Sequence, residues 1–284
     1  MRGFGITALV LAIAGTSGAP VFACINEIGA VRIQDILQKG DPREVAEVIV
    51  PLANAYARKP TLENTNDFGI AQLLTGKVDQ AIELFREAEE KFPGNARVAA
   101  NLGTALELKG ENAEAVRWIR EGVRRDPGEH RGTEWLHVKI LEAKLAMAGN
   151  ADWLETHSVL GLDFGAAPRP HLPQIVLLKA DGKTRTPEGL YFSIYYQLGE
   201  RTKFIKPNDA IVADLYETAG NLSYSYALAN RATGDRFGDP AQAFADAQWY
   251  GSRNPQRVLL RSEQFAQDYP NRSWFQAVTT VTKP

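Results

Sequence analysis

The sequence predicts an all-α protein, a solenoid of helical hairpins with degenerate helical units on both flanks. Three observations predict it. Residues 62–95 and 96–129 resemble each other at a constant offset of 34. Pro, Gly and Asp-Pro or Asn-Pro pairs start and stop apolar stretches where helices begin and end. The 284-residue chain is 44% hydrophobic with net charge −2, which excludes a disordered chain and gives no basic footprint for nucleic acid.

The repeat is readable position by position. Phe68-Gly69 aligns with Leu102-Gly103, Gly76 with Gly110, Ala81 with Ala115, Phe85 with Ile119, and Pro93 with Pro127. A glycine inside a helix costs about 1 kcal/mol against alanine, so Gly69 and Gly103 call for a close helix approach. Gly76 and Gly110 supply the left-handed residue that ends a helix. Ala81 and Phe85, like Ala115 and Ile119, lie one turn apart on the second helix and face the first. Pro93 and Pro127 stop the second helix. Helices are expected over 63–75, 78–91, 96–109 and 112–125.

This pattern resembles the tetratricopeptide repeat (TPR), in which a large residue with Gly or Ala is followed by Ala, an aromatic or apolar residue, Ala and Pro. The first unit fits with Phe68, Gly69, Ala81, Phe85, Ala88 and Pro93. The second carries Gly122 in place of the last alanine. The resemblance implies an all-α TPR-like solenoid with a concave groove that binds a peptide or protein partner, without catalysis or cofactor. The groove-lining places of the pattern fall on Glu63, Asn66, Ile70, Leu73 and Leu74, then on Arg97, Ala100, Thr104, Glu107 and Leu108. Of these, Ile70 and Leu73 are the expected contacts, flanked by Glu63 and Arg97. Asn66 and Ile70 stand where the carboxylate-gripping TPR clamp has Lys and Asn, so that ligand is not implied.

The flanks read as partial units. Residues 24–61 hold a capping pair: a helix over 31–39, then one opened by Asp41-Pro42 and interrupted by Pro51. Residues 62–129 are the two repeats. Thr133–Ala148 is an amphipathic helix at the start of a degenerate third unit that extends with a Pro/Gly-rich break to 186. Asp152–Leu160 is a shortened partner, and Gln174–Leu178 a short strand. Thr186-Pro187, Asn208-Asp209, Asp239-Pro240 and Asn254-Pro255 open further helices over 187–270, and 271–284 is a tail.

Residues 1–23 read as a secretory signal peptide: Arg2, then the apolar run Ile6–Ala14, then small residues. That run is far short of the roughly 20 residues that span a bilayer. Two processings fit the junction: cleavage after Ala23 leaving Cys24 as an unpaired thiol, or Cys24 as a lipidated first residue. The expected location is therefore exported, as a periplasmic, envelope-associated or secreted protein, with membrane contact only through a lipid at Cys24. Cys24 is the chain's one cysteine, so no intrachain disulfide forms.

Little else carries chemistry. The four histidines, His130, His137, His157 and His171, show no metal-ligand spacing and read as surface or half-buried polar residues. Gly182-Lys183-Thr184 lacks the upstream glycine of a phosphate loop, and Asp163-Phe164-Gly165 stands without the other kinase segments. Arg117, Arg120, Arg124, Arg125 and Arg131 interleave with Glu121, Asp126 and Glu129, as on a salt-bridged face. Seven of nine tyrosines fall within 191–250, as core or as an aromatic groove for a peptide or glycan. The rival to an adaptor is an envelope-associated hydrolase with the repeats as docking part and His157, Asp163 and His171 as its groups.

Overall fold

A computed structural model describes residues 36–270 apart from 38, 180 and 181. The signal segment, Cys24 and the tail therefore lie outside the described residues. Twelve helices follow one another: α1 (Pro42–Arg58), α2 (Leu62–Leu74), α3 (Val78–Lys91), α4 (Ala96–Lys109), α5 (Asn112–Arg125), α6 (Glu129–Gly132), α7 (Glu134–Gly149), α8 (Trp153–Thr156), α9 (Pro187–Arg201), α10 (Ala210–Ala229), α11 (Pro240–Trp249) and α12 (Pro255–Asp268). They pack as consecutive hairpins, and no β-strand occurs among the described residues. The strand expected over Gln174–Leu178 is replaced by an isolated antiparallel bridge between Leu178 and Thr184. A strand there would have no sheet to join.

The repeat geometry follows from the sequence pattern. Built on Gly69, a Cβ would meet the Phe85 ring at 2.7 Å, and on Gly103 it would meet Ile119 Cδ1 at 2.6 Å. Both glycines thus let the two helices of a hairpin touch through one fully buried apolar side chain. Gly76 and Gly110 have φ of 78° and 89°. Each closes its helix identically: Gly76 N–H donates to the Leu73 carbonyl and Lys77 N–H to Gln72, and Gly110 and Glu111 repeat this on Glu107 and Leu106. The Gly122 departure also has a cause. A Cβ there would lie 3.3 Å from the Ala96 carbonyl oxygen, so this site leaves little room for alanine.

The flanks differ from expectation in two places. α1 runs unbroken through Pro51, because full turns on either side absorb the one hydrogen bond a proline forfeits. Its start is fixed by a reciprocal capping box between Asp41 and Glu44. Of the helix expected over 31–39, the described Ile36, Leu37 and Lys39 are helical. Downstream, the expected partner of α7 shrinks to the single turn α8, followed by an extended segment to Thr186.

The helical hairpin expected in the C-terminal half is present, and its contact repeats that of the two regular units. α10 and α11 pack through Gly220, whose added Cβ would meet the Phe244 ring at 2.7 Å. Ala247 follows Phe244 by three residues, as Ala88 follows Phe85, and both alanines are fully buried. Here a ten-residue connection, 230–239, separates the helices. The tyrosines mostly build core: Tyr191 and Tyr195 rings lie 4.5 Å apart, Tyr216 and Tyr250 5.7 Å, and Tyr224 is fully buried against Phe265.

Replacing Gly69, Gly103 or Gly220 by Leu is expected to overpack its hairpin and cost about 1–3 kcal/mol. Urea denaturation checks this. An unchanged midpoint in all three variants would show that the glycines do not mark close contacts.

Candidate partner-binding site

The concave face expected to lie open is filled by the chain itself. Ile70, Leu73 and Leu74 are buried, at 0%, 1% and 5% exposure, in one core cluster with Leu37, the α1 side chains and Phe204. The expectation that they stand ready for a partner is corrected on that ground. Apolar side chains at these places cannot face water cheaply, at about 25 cal/mol per Å² exposed, and the chain's own flanks cover them. Asn66 is buried too, accepting 2.8 Å from Asn101 Nδ2 in the next repeat. Thr104 donates to its own helix at Ala100. Ala100 is fully buried, Leu108 and Arg97 are half-buried, and Glu63 is exposed.

Glu107 has the most partners of the expected groove residues. Its carboxylate sits inside the protein and meets Arg201 Nη1 of α9 at 2.6 Å, His137 Nε2 of α7 at 2.6 Å and Lys144 Nζ at 2.6 Å. His137 Nδ1 faces Glu134 Oε2 at 3.3 Å, and Glu134 Oε1 is bonded to His130 Nδ1. The backbone is bent to make this bond. His130 and Arg131 hold φ of 53° and 55°, and Gly132 follows at 69°, so α6 is one left-handed turn. Such a conformation costs about 1–2 kcal/mol per non-glycine residue. The end of α9 and the residues to Ile205 close over this cluster, and the gap left beside it is about 40 Å³. That is room for about one water, not a peptide.

Burial alone would raise the Glu107 pKa, but Arg201, His137 and Lys144 hold it well below the carboxylate range. Burial likewise opposes ionisation of Glu134, and the two imidazoles overcome it. His130 and His137 are pulled up by these carboxylates against the burial that would lower them. Neither histidine is therefore the surface or half-buried residue the sequence suggested. The arginine cluster matches its expected face: Arg125 pairs with Glu89 at 2.6 Å and with Glu121 at 2.8 Å, and Arg120 with Glu142 at 2.8 Å.

A second concavity lies on the other side of α7, where a complete third unit would have its second helix. It is a cleft of about 620 Å³ between α7, the segment Trp153–Gly165, α10 and α12. Asp214, Glu217, Thr218 and Asn221 of α10 lie on its wall at helical spacings of three and four residues. Glu217 is held by Arg257 at 2.7 Å and accepts 3.1 Å from Ser252. Asp214 accepts from Val159 N–H at 2.9 Å, and burial raises its pKa to about 7. Arg261, 2% exposed, donates to the carbonyls of Gly165 and Ala167 and so ties the extended segment to α12.

His157 and Asp163, two of the three hydrolase candidates, stand exposed on this cleft, while His171 lies beside Gly165. None is hydrogen-bonded to another: His157 Nδ1 sits 3.0 Å from the Trp153 carbonyl, and Asp163 accepts from Gly165 N–H. The α10 stripe was missed in the sequence reading. Its signal was present, as polar residues at 214, 217, 218 and 221 inside an otherwise apolar helix. Among the described residues, no group of three or more His, Cys, Asp or Glu is arranged to hold a metal ion.

Residues 66–130 match the family model described as tetratricopeptide repeat. This segment is a TPR array. The match ends at His130, at the left-handed turn. No curated protein matches the chain. TPR arrays generally mediate protein–protein interactions and are typically non-catalytic scaffolds.

The buried network makes stability depend on pH with a definite sign. Histidines raised above 6.5 stabilise the fold below that value, and the gain is lost as the pH rises through their folded-state pKa values. Carboxylates lowered below 4.5 stabilise above that value and lose the gain in acid. Asp214 is an acid raised from 3.8 to about 7, so its contribution also falls as the pH rises through that range. The melting temperature should therefore decline from about pH 5.5 to pH 9. Glu134→Gln should cost about 3–5 kcal/mol at pH 5.5, by leaving the buried His130 imidazole without its bonded carboxylate while His137 keeps Glu107, and should flatten that decline. A pH-independent melting temperature over this range contradicts the charged network.

Proposed function

We propose that the chain is an exported, non-catalytic TPR adaptor that holds a peptide or protein partner. The TPR array over residues 66–130 carries this reading, because such arrays are interaction modules. The signal-like segment before Cys24 supports export. The docking place is the cleft beside α7 rather than the concave groove. The groove residues Asn66, Ile70, Leu73, Leu74 and Glu107 are spent on intramolecular packing, whereas the cleft is roomy enough for a peptide segment. In this account the repeats and α9 form a rigid body, and the incomplete third unit supplies the opening. Adaptors of this kind need no titrating nucleophile, and the separation of His157, Asp163 and His171 agrees with that.

Two measurements test the proposal. A photoactivatable phenylalanine analogue at Thr156, on the cleft, should give a discrete cross-linked adduct in cells that make the protein. The same analogue at Glu83, on the exposed face of α3, should not. Adducts from Glu83 with none from Thr156 would move the docking place elsewhere. Cell fractionation with N-terminal mass analysis should find Cys24 as the first residue, beyond the cytoplasmic membrane. An intact N-terminus in the cytoplasm would overturn export.

A further inference from the structure

We infer that the cleft beside α7 takes a basic side chain, lysine or arginine, from the partner polypeptide. The inference rests on the adaptor reading above and adds the chemistry of what is bound.

The first observation is the charge balance of the wall. Five carboxylates line the cleft: Glu142, Glu155, Asp163, Asp214 and Glu217. Four basic side chains line it: Lys139, His157, Arg257 and Arg261. Two of the carboxylates are already neutralised, Glu142 by Lys139 at 2.9 Å and Glu217 by Arg257 at 2.7 Å. Arg261 is bonded to two backbone carbonyls, whose dipoles hold its charge in place. Glu155, Asp163 and Asp214 have no ion-pair partner within 4.0 Å among the described residues. An anion entering the cleft would meet these three carboxylates, and His157, stacked on Trp153 with Nδ1 3.0 Å from the Trp153 carbonyl, is the one further base. A cation would meet the acceptors it lacks in an apolar pocket.

The second observation is independent of charge. Asn221 is 3% exposed, lines the cleft, and its buried Oδ1 accepts no hydrogen bond from the protein. A buried acceptor left unsatisfied costs about 1–3 kcal/mol, so the site is incomplete without a donor. Lysine ammonium brings three N–H donors and guanidinium five, with no acceptor to compete. The remaining wall suits the stem of such a side chain. Leu160, Leu162, Phe164 and Leu177 give apolar cover to methylenes. The Trp153 ring, stacked on His157 at 4.7 Å, is part of the same wall.

The test uses the mature full-length protein and small probes. Argininamide and lysinamide are titrated by calorimetry and by protein NMR, with citrullinamide and norleucinamide as uncharged counterparts of similar shape. The expected result is saturable binding of the two cations, with shifts confined to residues of the cleft, and no binding of the uncharged pair. At pH 8, where Asp214 is ionised, Asp214→Asn keeps the acceptor for Val159 N–H but removes the charge, and should weaken the cations at least about tenfold. Asn221→Leu should weaken them as well, while Glu83→Gln should not. Circular dichroism and melting establish that each variant is folded, and Glu155→Gln serves as a second charge variant if Asp214→Asn is not. Equal binding of charged and uncharged probes, or cation binding that is insensitive to both charge variants, overturns the inference. If no cation binds while the Thr156 adduct still forms, the adaptor reading stands and this chemistry fails. If neither occurs, both fail.

Discussion

The Glu107 carboxylate is the joint of the molecule. It comes from α4 in the second repeat, and it is met by His137 and Lys144 from the third unit and by Arg201 from the C-terminal half. A carboxylate taken out of water costs several kcal/mol unless its lone pairs are filled. Three basic partners at 2.6 Å do so here, and they bring α7 and α9 to the same point on α4. Removing Glu107 leaves the Arg201 guanidinium, 6% exposed, without its carboxylate in the interior.

Several features follow from that docking. The concave face of the repeats is consumed, so its apolar places become core instead of a contact surface. The left-handed turn at His130 and Arg131 is affordable because its imidazole joins the same cluster through Glu134. With α9 drawn onto the groove side of α7, the opposite side of α7 lacks the second helix of its unit. The short α8 and the extended segment behind it cover this side incompletely, and the cleft is what remains. Function in this account depends on an irregularity of the array: two regular repeats give rigidity, and the interrupted third gives the opening.

The two hairpins over 62–129 were legible to within a residue at each boundary, because Gly69, Gly103, Phe85 and Ile119 report local packing at a fixed spacing. The same contact between Gly220 and Phe244 was not legible. Their separation is 24 residues, against 16 for Gly69 and Phe85, and a repeat scan needs constant spacing. The helical spacing of the groove residues is local information, but what covers them is set by chain far away in sequence. Nothing local in Ile70 or Leu73 says that Phe204 joins their cluster. His130 and His137 were misjudged for the same reason: a buried histidine differs from a surface one only by its partners. The cleft was half legible, since the polar stripe on α10 is visible in sequence while the missing helix opposite it is a tertiary fact.

The central claim is that Glu107 and Arg201 hold the C-terminal half on the repeat array. A double-mutant cycle with Glu107→Gln, Arg201→Met and the combined variant, read by urea unfolding at constant pH, tests it directly. Glu107→Gln should cost about 3–5 kcal/mol by leaving the buried Arg201 without its carboxylate, and Arg201→Met should cost less, because Glu107 keeps His137 and Lys144. The double variant should cost less than their sum, with an interaction energy of about 0.5–3 kcal/mol. Strictly additive costs would show that the two side chains do not meet, and the docked arrangement described here would be wrong.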